Sequence, residues 1–253
     1  REVRARAVIN ATGVFTDGVR KMDDPEAEEI IMASQGVHIV IDQSFLPGES
    51  AIMVPETDDG RVLFAIPWHG RTVVGTTDTE VEGPDIEPRA LGDEVEFLLE
   101  HASRYLRKEV TDRDVLSVFA GLRPLVASGG GASSSSVSRD HTLITSRSGL
   151  VTITGGKWTT YRKMAEDTID LAATVGGLDD VVCKTAELRI HGYREPQEGE
   201  NPFSGGGVYG SDWDAIAALK TDRPELAEVL HPNLPYTLAE VVWAVRSEMA
   251  RTL

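Results

Sequence analysis

The chain has 253 residues, 41% hydrophobic and 26% charged, enough apolar content for one large or two modest globular domains. Its 25 Lys and Arg face 41 Asp and Glu, and the net charge of −16 repels nucleic-acid phosphates and anionic lipid headgroups, which excludes both as bulk partners. The single cysteine, Cys183, allows no disulfide framework and no Cys-rich metal site, as in a reducing cytosolic interior. No apolar run approaches the roughly 18 residues that span a bilayer, which leaves interfacial attachment open. An anionic substrate would need a local cluster of Arg and Lys working against the overall field.

The chain begins without Met, inside an apolar strand from Ala5 to Ile9 that runs into Asn10-Ala11-Thr12-Gly13. A strand feeding a Gly turn lets a ligand approach the backbone. Residues 30–41 alternate as a strand around Gly36-Val37-His38-Ile39. Strands at 51–54, 62–66 and 72–75, separated by turns at Asp58-Asp59-Gly60 and Trp68-His69-Gly70-Arg71, predict an antiparallel meander. Residues 88–107 carry apolar positions at helical spacing, and the acidic residues across 76–100 read as a solvated face, like Asp23-Asp24-Pro25-Glu26. Val115 to Leu122 leads into Arg123-Pro124, then a Ser/Gly-rich loop at 128–138. Strands at 139–145 and 150–154 follow, and Gly155-Gly156-Lys157 opens a helix from Trp158 to about Val175. Residues 192–211 read as a linker and 212–253 as helical, the last helix ending without a stop signal, so both ends read as cuts in a longer protein.

Chemistry concentrates at a few positions. A helix starting after Gly155-Gly156-Lys157 offers free N–H groups, a favourable dipole and a formal cation to an anion or carbonyl oxygen. It is not a P-loop: position 151 is Val where the first Gly belongs, and Trp158 replaces the Ser or Thr. A tight turn with a solvated lysine is the bland alternative. Arg123 and Arg139 could each grip a phosphate or carboxylate with two parallel bonds, or be surface ion pairs. His38, with Val37 and Ile39 on the opposite face, could act as a general base or be a hydrogen-bonded, half-buried residue. His69 sits on a hairpin tip, and His141 lies in Arg139-Asp140-His141 as a second-rank candidate. No zinc spacing and no Gly-x-Ser-x-Gly elbow occurs, so the residues by themselves reach an α/β protein with an anion-accepting site.

Seven stretches occur in order: Asn10-Ala11-Thr12-Gly13, Gly36-Val37-His38-Ile39-Val40, Ile66-Pro67-Trp68, Gly75-Thr76-Thr77-Asp78, Gly121-Leu122-Arg123-Pro124-Leu125, Ser138-Arg139-Asp140-His141-Thr142, and Thr154-Gly155-Gly156-Lys157-Trp158-Thr159-Thr160-Tyr161-Arg162. Together they resemble the FAD-dependent glycerol-3-phosphate dehydrogenases, densely over residues 1–175. The resemblance implies a mixed α/β (α+β) fold. Residues 1–22 and 139–175 would be a remnant of a Rossmann-type FAD-binding domain, and 23–138 an inserted, mostly antiparallel substrate domain. Residues 176–211 would be a linker, and 212–253 the start of a truncated helical C-terminal domain. It implies oxidation of sn-glycerol 3-phosphate at C2 to dihydroxyacetone phosphate, with hydride passing to FAD and electrons to a quinone. The setting would be the cytoplasm, with at most peripheral contact at the inner face of the cytoplasmic membrane.

Carried over by motif, His38 would take the C2 hydroxyl proton, and Arg123, Arg139 and Lys157 would hold the substrate. Gly13, Gly156, Lys157 and Thr159 would approach FAD. The Gly-x-Gly-x-x-Gly pyrophosphate turn is absent from the chain, so the fragment alone is expected to be inactive. Its exposed apolar face is expected to favour a homo-oligomer. The competing readings are a related FAD-dependent amine or amino-acid oxidase, which grips a carboxylate with fewer cations, and a non-catalytic interaction module.

Overall fold

The computed structural model describes residues 2–58, 60–126, 140–195 and 205–252. They fall into two units, Arg1–Ala186 and Glu187–Leu253. In the first unit β1 (Val8–Asn10) passes through a short 3-10 turn into α1 (Thr16–Asp23). Next come β2 (Ile31–Asp42), β3 (Ile52–Val54), β4 (Leu63–Trp68), β5 (Arg71–Gly75) and β6 (Thr79–Glu80). After α2 (Gly92–Tyr105) the chain forms β7 (Val115–Val126), β8 (His141–Thr145), β9 (Leu150–Gly155) and α3 (Tyr161–Gly176).

Alternation along β2 decides the architecture. Val37, Ile39 and Ile41 are fully buried on one face, while Ser34, Gly36 and His38 belong to the other. β2 pairs antiparallel with β5 and β6 along one edge and with β7 along the other, and β3 and β4 extend the β5 side into a six-stranded sheet. Its apolar face, with Val54, Leu63, Ala65 and Val74, packs on Leu98 and Ala102 of α2. Those two helical residues are four positions apart and share a face, which is why the helical period was legible from sequence. The helix begins at Gly92 rather than near Pro88, because the preceding segment is extended and its Arg89 carbonyl accepts a bond from Gln35 Nε2 at 2.9 Å.

The acidic residues of this region are not one solvated face. Asp85, Glu87 and Asp93 are exposed, but Glu94 is 3% exposed and accepts bonds from Gln35 Nε2 at 2.7 Å, Thr77 Oγ1 at 2.9 Å and the Leu91 N–H at 2.9 Å. A buried carboxylate persists because donors compensate its lost hydration. α1 is a further departure, since no helix was expected there. It is short and contains Gly18, a weak signal, and it is held in place by Asp17 Oδ2, which accepts the N–H groups of Ile30 and Ile31 at 2.9 and 2.8 Å where β2 begins.

The second sheet has three strands in the order β1-β9-β8. β1 is parallel to β9, with Asn10 opposite Thr152, and β8 is antiparallel to β9. The sheets meet where Val126 at the end of β7 lies against Gly155 at the end of β9. Gly177, in the left-handed conformation at φ 55°, terminates α3 as glycine commonly does.

In the second unit α4 (Trp213–Asp222) and α5 (Leu238–Ser247) bury Ile216, Leu226 and Ala239 among Trp213, Leu219 and Val242. Glu240 caps α5 by accepting the Thr237 N–H at 2.7 Å and its hydroxyl at 2.9 Å. The segment expected as a linker contains 3-10 turns at Gly205–Gly207 and Gly210–Asp212, and the Ser211 N–H bonds to the Gly192 carbonyl at 3.1 Å. Arg139 and the Ser/Gly-rich loop at 128–138 lie outside the described residues. Among the described residues no helix is long and apolar enough to cross a membrane.

Candidate active site

Two candidates from the sequence come together on the outer face of the six-stranded sheet. Register places His38 between Gly75 of β5 and Phe119 of β7, and Ser34 opposite Arg123 of β7. The His38 ring stacks on Phe119 with centroids 4.9 Å apart and planes within 5°. On its other side it lies across Gly75, where a Cβ would fall 2.2 Å from the imidazole Cδ2. Arg123 does the same to Gly36: a Cβ there would sit 2.2 Å from Nη2. At both positions another side chain occupies the space a Cβ would need, so a substitution there must displace the imidazole or the guanidinium.

The guanidinium is oriented by hydroxyls and a carboxylate. Arg123 Nη2 donates to Thr76 Oγ1 at 2.8 Å, and Nη1 lies 3.4 Å from Ser34 Oγ and 3.8 Å from Asp78 Oδ1. Asp78 also accepts the Ser34 hydroxyl. Burial, and then the nearby Arg123 charge, hold the His38 pKa below the ordinary histidine value. The imidazole is thus neutral at pH 7 and able to accept a proton, beside a cation able to grip an anion. Met53 and Phe64 continue the row of Gly75, His38 and Phe119 across the sheet and give it an apolar flank.

The second sheet presents a different kind of site. Its parallel strands β1 and β9 are each followed by a turn with glycine at positive φ: Gly13 at 60° three residues after β1, and Gly155 at 74° and Gly156 at 75° at the end of β9. Each leads through a 3-10 turn into a helix N-terminus, so free N–H groups converge at the carboxyl ends of a parallel pair, the usual ligand position in α/β sheets. Asn10 is 1% exposed and fixes the first turn, donating to the Thr16 carbonyl at 3.0 Å and accepting the Thr12 hydroxyl at 2.7 Å. Gly13 has open space over its Cα, whereas a Cβ on Gly156 would fall 2.5 Å from Met164 Sδ. Lys157 and Thr159 are exposed on the second turn, and the Lys157 N–H bonds to Thr160 Oγ1 at 3.1 Å.

His141 lies opposite Gly155 in the β8–β9 register, beside the second cluster, and His69 lies on the β4–β5 hairpin. His141 pairs with Asp167 of α3 at 3.1 Å, and His69 caps the β4–β5 hairpin at φ 47°. The sequence reading passed over Gly36, Gly75, Thr76, Ser34 and Asp78 as site residues, although a glycine inside an apolar strand was an available sign. Among the described residues one cleft of about 480 Å³ lies beside α1, and one of about 210 Å³ lies between α1 and the β8–β9 turn. Neither is lined by His38, Arg123 or Lys157.

Known proteins give this geometry a context. The chain is 45% identical over 196 residues to the mitochondrial glycerol-3-phosphate dehydrogenase of Mesocricetus auratus, covering 77% of this chain and 27% of that protein. It is 46% identical over 189 residues to the mitochondrial enzyme of the same name from Arabidopsis thaliana, covering 74% and 30%. The chain therefore spans about a third or less of the length of these curated relatives. The solved glycerol-3-phosphate dehydrogenase of Bacillus halodurans, complexed with FAD, superposes with a TM-score of 0.76 at 30% identity, covering 98% of this chain and 51% of that one. Residues 206–253 match the model for the C-terminal domain of alpha-glycerophosphate oxidase. Residues 1–162 match the model of the FAD dependent oxidoreductases, which is more than half of the chain, and to that family the chain belongs.

Proposed function

We propose that this chain is the substrate half of an FAD-dependent glycerol-3-phosphate dehydrogenase that oxidises sn-glycerol 3-phosphate to dihydroxyacetone phosphate. The observation that carries the reading is the pairing of a neutral His38 with Arg123 on one sheet face, each laid over a strand glycine. A dianionic phosphate needs a fork of donors, and Arg123 offers one already oriented by Thr76. Gly36 and His38 are two residues apart, about 7 Å along the strand, so one small substrate can reach both. His38 accepts the C2 hydroxyl proton as the hydride leaves C2. FAD, when bound, supplies the acceptor for that hydride. The glycine turns after β1 and β9 fit it, because backbone without Cβ atoms admits a planar ring system and two helix N-termini face negative charge. In this reading Gly13, Gly156 and Thr159 approach the cofactor, Lys157 lies by the flavin and the substrate, and Arg139 adds a second phosphate contact.

The same reading assigns 1–22 and 139–175 to the FAD-binding domain, 23–138 to the substrate domain, 176–211 to a linker and 212–253 to the helical C-terminal domain. Electrons leave to a quinone from a cytoplasmic protein peripheral to the membrane. The chain alone is inactive and self-associates. The decisive measurement is anaerobic: sn-glycerol 3-phosphate is added to the intact polypeptide and the visible flavin band is followed. Bleaching that Arg123→Ala suppresses supports the proposal. Bleaching only by an amine or amino acid moves the assignment to the oxidases, and a colourless protein moves it to an interaction module.

A further inference from the structure

Beneath the site lies a chain of bonds that the proposed reaction does not itself require. Its lower end is Glu94, whose partners are neutral donors: the Leu91 N–H and Gln35 Nε2 on Oε2, the Thr77 hydroxyl on Oε1, and the Thr79 side chain beside them. Because the carboxylate can only accept, it draws the Thr77 proton toward α2. That leaves a Thr77 lone pair for the Val37 N–H, 2.9 Å away and directly beside His38 in the chain. The next residue back, Thr76, donates its hydroxyl to the Thr77 carbonyl at 3.0 Å and so turns its own lone pair to Arg123 Nη2 at 2.8 Å. The residue after, Asp78, holds Ser34 and faces Arg123 at 3.8 Å. Thr76-Thr77-Asp78 thus touches β2 and β7 at once, and its middle residue is fixed from below. Burial pushes the Glu94 carboxyl up, yet the donors of Leu91, Thr79, Gln35 and Thr77 outweigh it and hold the group below its ordinary value, charged and acceptor-only.

We propose that Glu94, acting through Thr77, is a positioning residue that sets the Arg123 guanidinium over Gly36 and the His38 ring over Gly75. The inference rests on the glycerol-3-phosphate reading for its kinetic test, though not for its spectroscopic one. Glu94→Gln discriminates well. Two donors meet Oε2, so the amide oxygen stays there and the NH2 turns to Thr77. The helix start keeps its acceptor, but the Thr77 proton loses its own and the hydroxyl must turn. Thr77→Val removes the hydroxyl altogether, and Thr77→Ser keeps it.

In the intact protein, Glu94→Gln and Thr77→Val should each raise KM for sn-glycerol 3-phosphate about 10-fold and move the acid limb of kcat/KM upward, with Thr77→Ser recovering the wild-type values. A lowered Tm with KM and the acid limb unchanged in both variants would show Glu94 to be a helix cap only and overturn the inference. If the wild-type protein reduces no flavin with this substrate, the functional reading fails but the positioning test stands. The His38 imidazole is then titrated by NMR in the intact wild-type and Glu94→Gln proteins. A rise of its pKa toward the ordinary value supports the coupling, and an unmoved one refutes it.

Discussion

In the six-stranded sheet the polar groups are side chains gripped by other side chains, with Arg123 on Thr76 and His38 on Phe119. In the three-stranded sheet they are backbone N–H groups exposed by glycines at positive φ, with Lys157 reaching out from an exposed turn. Under the proposed function the difference matches two kinds of ligand. A small, mobile substrate needs forked donors and a base at fixed spacing, which antiparallel register supplies. A large, flat cofactor needs space against the main chain and a positive potential, which glycine turns and helix N-termini supply. Side-chain sites of the first kind depend on packing beneath them, whereas backbone sites of the second kind depend on dihedral angles.

Each half of that comparison can be broken separately. The largest effect is expected from the floor of the six-stranded sheet. Ile39 is fully buried, so Ile39→Ala should cost about 2–5 kcal/mol of stability by denaturant unfolding, against a change within about 0.5 kcal/mol for exposed Lys157→Ala. Arg123→Ala should raise KM about 100-fold with little loss of Tm, and Arg123→Lys should recover only a small part, since an ammonium cannot fork. Equal kinetics in the two variants would mean that Arg123 serves as a point charge.

The glycines separate the sheets most sharply. Gly36→Ala should displace the guanidinium, the flexible end of a side chain, and raise KM about 10-fold while the fold tolerates it. Gly156→Ala meets Met164 at 2.5 Å and holds alanine at φ 75°, so it should cost roughly 1–2 kcal/mol and weaken cofactor retention rather than substrate KM. The opposite pattern of KM and flavin content would dissolve the distinction between the sheets.

The smallest effect is in pH. Because burial and then Arg123 depress the His38 pKa, the acid limb of kcat/KM should lie below the ordinary histidine value of about 6.5, and Arg123→Gln should shift the NMR titration of His38 upward. The folded pKa lies below the unfolded one. The stability contributed by neutral His38 is therefore complete above the ordinary value and is lost as pH falls through the depressed one.

Much of this was legible in the chain. Alternation at Val37, Ile39 and Ile41 revealed the central strand and assigned His38 to the face opposite the core, and the period of Leu98 and Ala102 revealed the helix beneath. The breaks at Gly13 and Gly155-Gly156 marked turns, because few residues other than glycine adopt their dihedrals. Arg123 and His38 were found as residue types with useful chemistry, but not as neighbours. Glu94 was misjudged, since an acidic residue among others looks solvated until the donors from distant strands are known.

The sequence by itself determined the faces of the strands, the presence of α2 and α3 and the places where backbone must bend left-handed, since each follows from local dihedral preference or a period of two or 3.6 residues. Only the tertiary structure decided that Arg123 lies over Gly36 and bonds to Ser34, 89 residues away in the chain, that His38 is sandwiched between Gly75 and Phe119, and that Glu94 fastens Thr77 from below. Those contacts depend on strand register, and a shift of one residue would keep every local preference nearby while turning each side chain to the opposite face.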